Sequence, residues 1–98
     1  MTVVVNIKTD EYDVKIDRST RWGNPYPIGH LSRRQVISKY REYLEQEIRE
    51  GRVTREDLLS LKGLRLGCWC KPLSCHGDVL REFIEQASKD YKDNSLSF

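Results

Sequence analysis

Leu64-Arg65-Leu66-Gly67-Cys68-Trp69-Cys70, then Lys71-Pro72-Leu73-Ser74, then Cys75-His76-Gly77-Asp78-Val79-Leu80, reads as a strand that turns directly into a helix. The helix is expected to begin near Cys75 or His76, because Pro72 breaks the strand and Val79, Leu80, Phe83, Ile84 and Ala87 then recur at helical spacing. Asp78 falls near the helix N-terminus, where the backbone dipole favours a carboxylate. On the strand, alternate residues share a face, so Cys68 and Cys70 point one way and Trp69 the other.

Working outward, Thr54 is expected to cap a short helix carrying Leu58, Leu59 and Leu61 and ended by Gly63. Ser32 and Gln35 form the pattern of a capping box. After them Val36, Ile37, Tyr40, Leu44 and Ile48 mark a long amphipathic helix that stops at Gly51. Thr2–Lys8 is β-branched and reads as a buried strand, and Tyr12–Ile16 alternates as a half-exposed strand, expected to pair with the first as a hairpin. The first and third strands would lie parallel, joined by a helical crossover. These elements imply an α/β fold: a small three-layer or two-layer domain of about three strands in a mixed sheet with three helices, Rossmann-like. One domain spans residues 1–98, with the polar end from Asp90 to Phe98 fraying.

The chain has 98 residues, which is one domain's length. No apolar run approaches the roughly 18–20 residues of a membrane span, and Met1-Thr2-Val3-Val4-Val5-Asn6 lacks the basic flank of a secretory signal. The expected compartment is cytoplasmic, with no membrane partner. The 3 cysteines are an odd number and cluster between Cys68 and Cys75, which argues against a disulfide framework and for metal or thiol chemistry.

Charge is unevenly spread. Between Arg18 and Arg41 there is no acid, while Arg18, Arg21, Arg33, Arg34, Lys39 and Arg41 all fall there. The whole chain carries only +2, so this basic stretch sits on an otherwise acidic body and suggests an anion-facing surface. Within it, Arg18-Ser19-Thr20-Arg21-Trp22-Gly23-Asn24-Pro25-Tyr26 joins guanidinium groups, flat rings and an amide. Arg forks suit phosphate oxygens, aromatics stack on bases and Asn pairs with base edges, so Arg18, Arg21, Trp22 and Asn24 are candidate ligand-binding residues. The plainer reading buries Trp22 in the core and uses Asn24-Pro25 as a turn.

The Cys/His segment admits two chemistries. Cys68, Cys70, Cys75 and His76 are the donor types of a Cys₃His zinc site, although adjacent ligands such as Cys75 and His76 fit one tetrahedral ion awkwardly. Without metal, Cys75 at a helix start is expected to have a lowered pKa, His76 would carry or orient a proton, and both are candidate catalytic residues. Gly77 would let the helix-terminal N–H groups approach a phosphate or carboxylate. The alternative for Cys68 is plain burial in the core.

Arg21-Trp22-Gly23-Asn24-Pro25-Tyr26 together with Leu66-Gly67-Cys68-Trp69-Cys70 and Cys75-His76-Gly77-Asp78-Val79-Leu80 resembles a family of unknown function found in bacteriophages and bacteria, marked by WGNP and CWC…CHGDVL motifs. The second motif is also loosely similar to a strand–Cys-His–helix ending of another uncharacterised bacterial family, in which Arg follows the His; Gly77 stands there in this chain. The resemblance implies a compact α/β fold and a phage setting, hence the host cytoplasm, and implies no reaction.

Two functional expectations follow. In the first, the Arg21–Asn24 loop and the Cys75–His76 helix start converge on a pocket for a nucleotide-like or other anionic small ligand, with catalysis left open. In the second, zinc on Cys68, Cys70, Cys75 and His76 staples an interaction module for a host protein or nucleic acid.

Overall fold

The computed structural model describes residues 2–26, 29, 31–69, 71 and 75–96, the last stretch with side chains to Lys89. Six elements follow in order: β1 (Val3–Asn6), β2 (Val14–Lys15), α1 (Arg33–Arg49), α2 (Arg55–Leu59), β3 (Arg65–Cys68) and α3 (His76–Leu96). Helix starts follow the sequence closely. Ser32 accepts from the Gln35 N–H at 3.2 Å while Gln35 accepts from the Ser32 N–H at 2.8 Å. Thr54 and Asp57 make the same reciprocal pair ahead of α2. Each box satisfies N–H groups that the helix itself leaves orphaned, an effect of about 1 kcal/mol per cap. α3 continues to Leu96, past Asp90 where the sequence reading lets the helix fray.

The sheet corrects the expected topology. Its order is β1-β3-β2, and both outer strands run parallel to β3, with Val4 and Val14 each registered on Leu66. The sheet is therefore all parallel, not mixed, and β1 and β2 are not a hairpin. Residues 7–13 instead carry the chain across the middle strand. They lie over Gly67, where a Cβ would come within 2.8 Å of Ile7 Cγ1 and 2.9 Å of Tyr12 Cγ. A parallel connection ordinarily needs a dozen residues or more; this shorter one passes because Gly67 has no side chain. Its far end is fixed by Asp13, whose carboxylate accepts from the Arg65 backbone N–H at 2.7 Å and pairs with the Arg65 guanidinium.

The opposite face of the sheet meets α3. Gly77 lies so close to it that a Cβ there would stand 2.7 Å from Ile16 Cδ1 and 2.8 Å from Val4 Cγ1. α3 also packs on α1 and α2, and one core unites Ile16, Tyr40, Leu44, Leu66, Leu80 and Ile84, each at most 1% exposed. Among the described residues no helix is long and apolar enough to cross a membrane.

Candidate functional site

The carboxyl ends of β2 and β3 and the start of α3 frame a cavity of about 330 Å³, with α1 closing its far side. Parallel sheets commonly bind ligands beyond the carboxyl ends of their strands. The loop after β2 contributes Asp17, Arg18, Ser19, Asn24 and Tyr26. α1 contributes Arg33, Val36 and Ile37, the end of β3 contributes Cys68 and Trp69, and the start of α3 contributes Cys75 and His76. The two segments singled out in the sequence thus share one cavity.

Individual residues divide. Arg18, Asn24, Cys68, Cys75 and His76 are in the wall; Arg21, Trp22 and Gly77 are not. Arg21 turns away to donate to the Arg52 carbonyl and lies 3.7 Å from Asp57. Trp22 is buried, with its carbonyl accepting from the Tyr40 hydroxyl at 2.9 Å. Gly77 serves the close approach of α3 to the sheet. Cys70 lies outside the described residues. Among the described residues no three His, Cys, Asp or Glu side chains gather as metal donors.

Asn24 is buried and both ends of its amide are engaged: Nδ2 donates to the Val36 carbonyl at 3.2 Å and Oδ1 accepts from the Tyr26 N–H at 2.9 Å. It fastens the loop to α1. Arg18 donates to the Tyr26 carbonyl at 3.3 Å and remains exposed.

At the start of α3, Cys75 is the cap. Its sulfur accepts from the Gly77 N–H at 3.3 Å, and Asp78 accepts from the Cys75 N–H at 3.1 Å, so a cysteine caps the helix where serine is usual. These contacts consume N–H groups that the sequence reading offers to an anion. Cys75 also lies 3.1 Å, sulfur to sulfur, from Cys68. That contact and burial push the Cys75 thiol above its ordinary pKa, outweighing the Gly77 N–H. The sequence reading expects a thiol lowered by the helix start; contact with Cys68 and burial act in the opposite direction. Although burial pushes the Asp78 carboxyl upward, Lys71 at 2.6 Å and the Cys75 N–H hold it below the usual range.

His76 donates to the Ile16 carbonyl through Nε2, and its ring meets Tyr40 edge-on at 4.9 Å. A carbonyl only accepts, so the proton is assigned to Nε2 and the neutral ring keeps a lone pair on Nδ1. Burial pushes the His76 pKa down, against the opposing pull of the Ile16 carbonyl and of Asp17 and Asp78. The unfolded chain takes up this proton near the ordinary value of 6.5 while the folded chain resists it, so stability falls as pH drops below that value. Stability is expected to decline as pH falls below 6.5, with a limiting slope of about 1.4 kcal/mol per pH unit for one proton, and melting temperature should fall with it. His76→Gln should flatten that decline; equal slopes in parent and variant would contradict it. The carboxylates Asp13, Asp17, Asp57 and Asp78, all held below 3.8, act at lower pH.

The sequence reading passed over the most distinctive wall residue. Trp69 is 55% exposed, yet its Nε1–H donates to Asp17 at 3.0 Å. Asp17 also accepts from Ser19, and these bonds, Ser19's first, hold its carboxyl below the usual range. The ring is thus left in solvent with its Nε1–H tied to the loop after β2. Its signal was present in the alternation that turns Trp69 away from the core. Arg33, which the sequence reading places only in the basic stretch since nothing local distinguishes it from its helical neighbours, is also in the wall; Tyr26, from the aromatic loop, lines the wall too.

The family described as Domain of unknown function (DUF4326) matches residues 5–86, which takes in the end of β1, all of β2 and β3, and the whole cavity wall. The chain belongs to the DUF4326 family. A relative in Enterobacteria phage T4, the uncharacterized 12.4 kDa protein in the nrdA-td intergenic region, is 38% identical over 87 residues, covering 89% of this chain and 81% of its own length. The α/β domain described above is thus that of a DUF4326 protein with a phage relative. No solved structure matches this DUF4326 chain.

Proposed function

We propose that the cavity binds a mononucleotide or a comparable ring compound bearing phosphate. The observation that carries this reading is the presence of Arg18, Arg33 and the pinned, exposed Trp69 indole around one 330 Å³ space. Arginine forks match phosphate oxygens, and an aromatic face accepts a base of any sequence identity. The His76 ring, neutral with a lone pair on Nδ1, adds a hydrogen-bond acceptor. The volume lies at the small end of ligand sites and suits one nucleotide unit better than two. Binding is the function this arrangement of Arg18, Arg33 and Trp69 supports best.

Thermal melts with nucleoside mono-, di- and triphosphates and with inorganic phosphate test the proposal. At one hundred times its Kd, a ligand of the folded state adds about 2.7 kcal/mol of stability. Arg18→Ala and Arg33→Ala should each weaken the response to nucleotides and to phosphate by roughly tenfold or more in affinity. Trp69→Ala should weaken nucleotides by about 1–3 kcal/mol and spare inorganic phosphate. A panel without any stabilising member, or a response indifferent to all three substitutions, would overturn it.

A further inference from the structure

We propose that Cys68 and Cys75 form a dithiol–disulfide couple that small oxidants reach through the cavity. Cys68 ends β3 and Cys75 caps α3, and their sulfurs already stand 3.1 Å apart. A disulfide bond needs about 2.05 Å, so closure requires a movement of only about 1 Å. Both residues are almost fully buried, at 1% and 2% exposure, but both belong to the wall of the open cavity, which is the path by which a small molecule reaches them. The Asp78 half of the cap does not depend on the sulfur, because Asp78 accepts from the Cys75 N–H in either redox state.

The co-reactant is a small organic disulfide, RSSR. One protein thiol gives up its proton to solvent and attacks a sulfur of RSSR, forming a mixed disulfide and expelling RS⁻, which takes up a proton. The second protein thiol then attacks the protein sulfur of that mixed disulfide and expels the other RS⁻, likewise protonated. The balance is Cys68–SH + Cys75–SH + RSSR → Cys68–S–S–Cys75 + 2 RSH; the two cysteines are oxidised and the small disulfide is reduced. Since contact with Cys68 and burial keep the Cys75 thiol protonated, the exchange is slow, and the equilibrium position is the quantity to read.

The experiment uses the full chain carrying Cys70→Ser, which removes the third thiol. The protein is equilibrated across ratios of bis(2-hydroxyethyl) disulfide to 2-mercaptoethanol, quenched in acid, then denatured and alkylated with N-ethylmaleimide. The expected result is a chain that accepts no maleimide at oxidising ratios and two at reducing ratios, with the oxidised mass lower by two hydrogens and the loss confined to the peptide spanning both cysteines. Adding Cys75→Ser, which keeps an ordinary serine cap, should halt the reaction at a mixed disulfide on Cys68. Two maleimides at every ratio, or persistent mixed adducts in the chain that retains both cysteines, would overturn the proposal. The readout requires no ligand in the cavity and is independent of whether a nucleotide binds.

Discussion

Gly23→Ala is expected to destabilise the protein by about 3 kcal/mol, the upper end of ordinary overpacking costs. A Cβ on Gly23 would lie 2.3 Å from the Asp17 carbonyl oxygen and 2.6 Å from Arg18 Cα. These are backbone atoms, so no rotamer change relieves the clash. The chain must separate Asp17–Arg18 from Trp22–Asn24, which are the two limbs of the same cavity-forming loop. The loop's own hydrogen bond from the Gly23 N–H to the Thr20 carbonyl, at 3.1 Å, would be strained in the process. Gly51→Ala is the informative comparison: its φ of 80° is costly for alanine, but a Cβ there meets only open space. That variant should lose about 1 kcal/mol. Urea denaturation measures both, and equal losses would show that the close approach at Gly23 is not a constraint.

The largest loss is expected at Tyr40. It is 1% exposed and joins the two halves of the site, with its hydroxyl on the Trp22 carbonyl and its ring against His76. Burial pushes its phenol pKa well above the ordinary value, so the hydroxyl stays a donor throughout the working pH range. Tyr40→Ala removes a buried aromatic and should cost about 4 kcal/mol. Tyr40→Phe keeps the ring but leaves the Trp22 carbonyl unsatisfied, which costs about 1–2 kcal/mol. The two variants therefore separate packing from the hydrogen bond. If Tyr40→Phe were neutral in urea denaturation, the hydroxyl would have no part in holding the loop.

Local chemistry made much of this molecule legible. Ser32 with Gln35 and the apolar spacing from Val36 to Ile48 specify α1 within a few adjacent residues, and the Pro72 break followed by Val79, Leu80 and Ile84 specifies α3. The sequence reading expects the tryptophan-bearing loop to meet the Cys/His segment, but the β1–β2 hairpin it also expects would send that loop to the opposite end of the sheet; the parallel pairing of β2 with β3 is what delivers both to one end. That pairing was not legible. Alternation in Tyr12–Ile16 is the same for a hairpin as for a crossover, and the choice rests on Gly67, more than fifty positions away, making room for Ile7 and Tyr12.

Side-chain direction was the other gap. Arg18 and Arg21 are equivalent on paper, yet Asp57 and the Arg52 carbonyl draw Arg21 outward while Arg18 stays at the cavity. A helix start by itself lowers a thiol's pKa; at Cys75, contact with Cys68 and burial push the other way. The environment of Cys75 is set by Cys68 at the end of β3 as well as by its own neighbours Gly77 and Asp78.

The most direct test is an NMR titration of the isotopically labelled full chain with the nucleotide that stabilises it most. Amide shift changes should concentrate on Arg18–Tyr26, Arg33–Ile37, Cys68, Trp69, Cys75 and His76, and should saturate with a single binding constant. Saturating changes centred instead on β1 and the 7–13 crossover, or none at all with any nucleotide, would contradict the assignment of the cavity as the binding site.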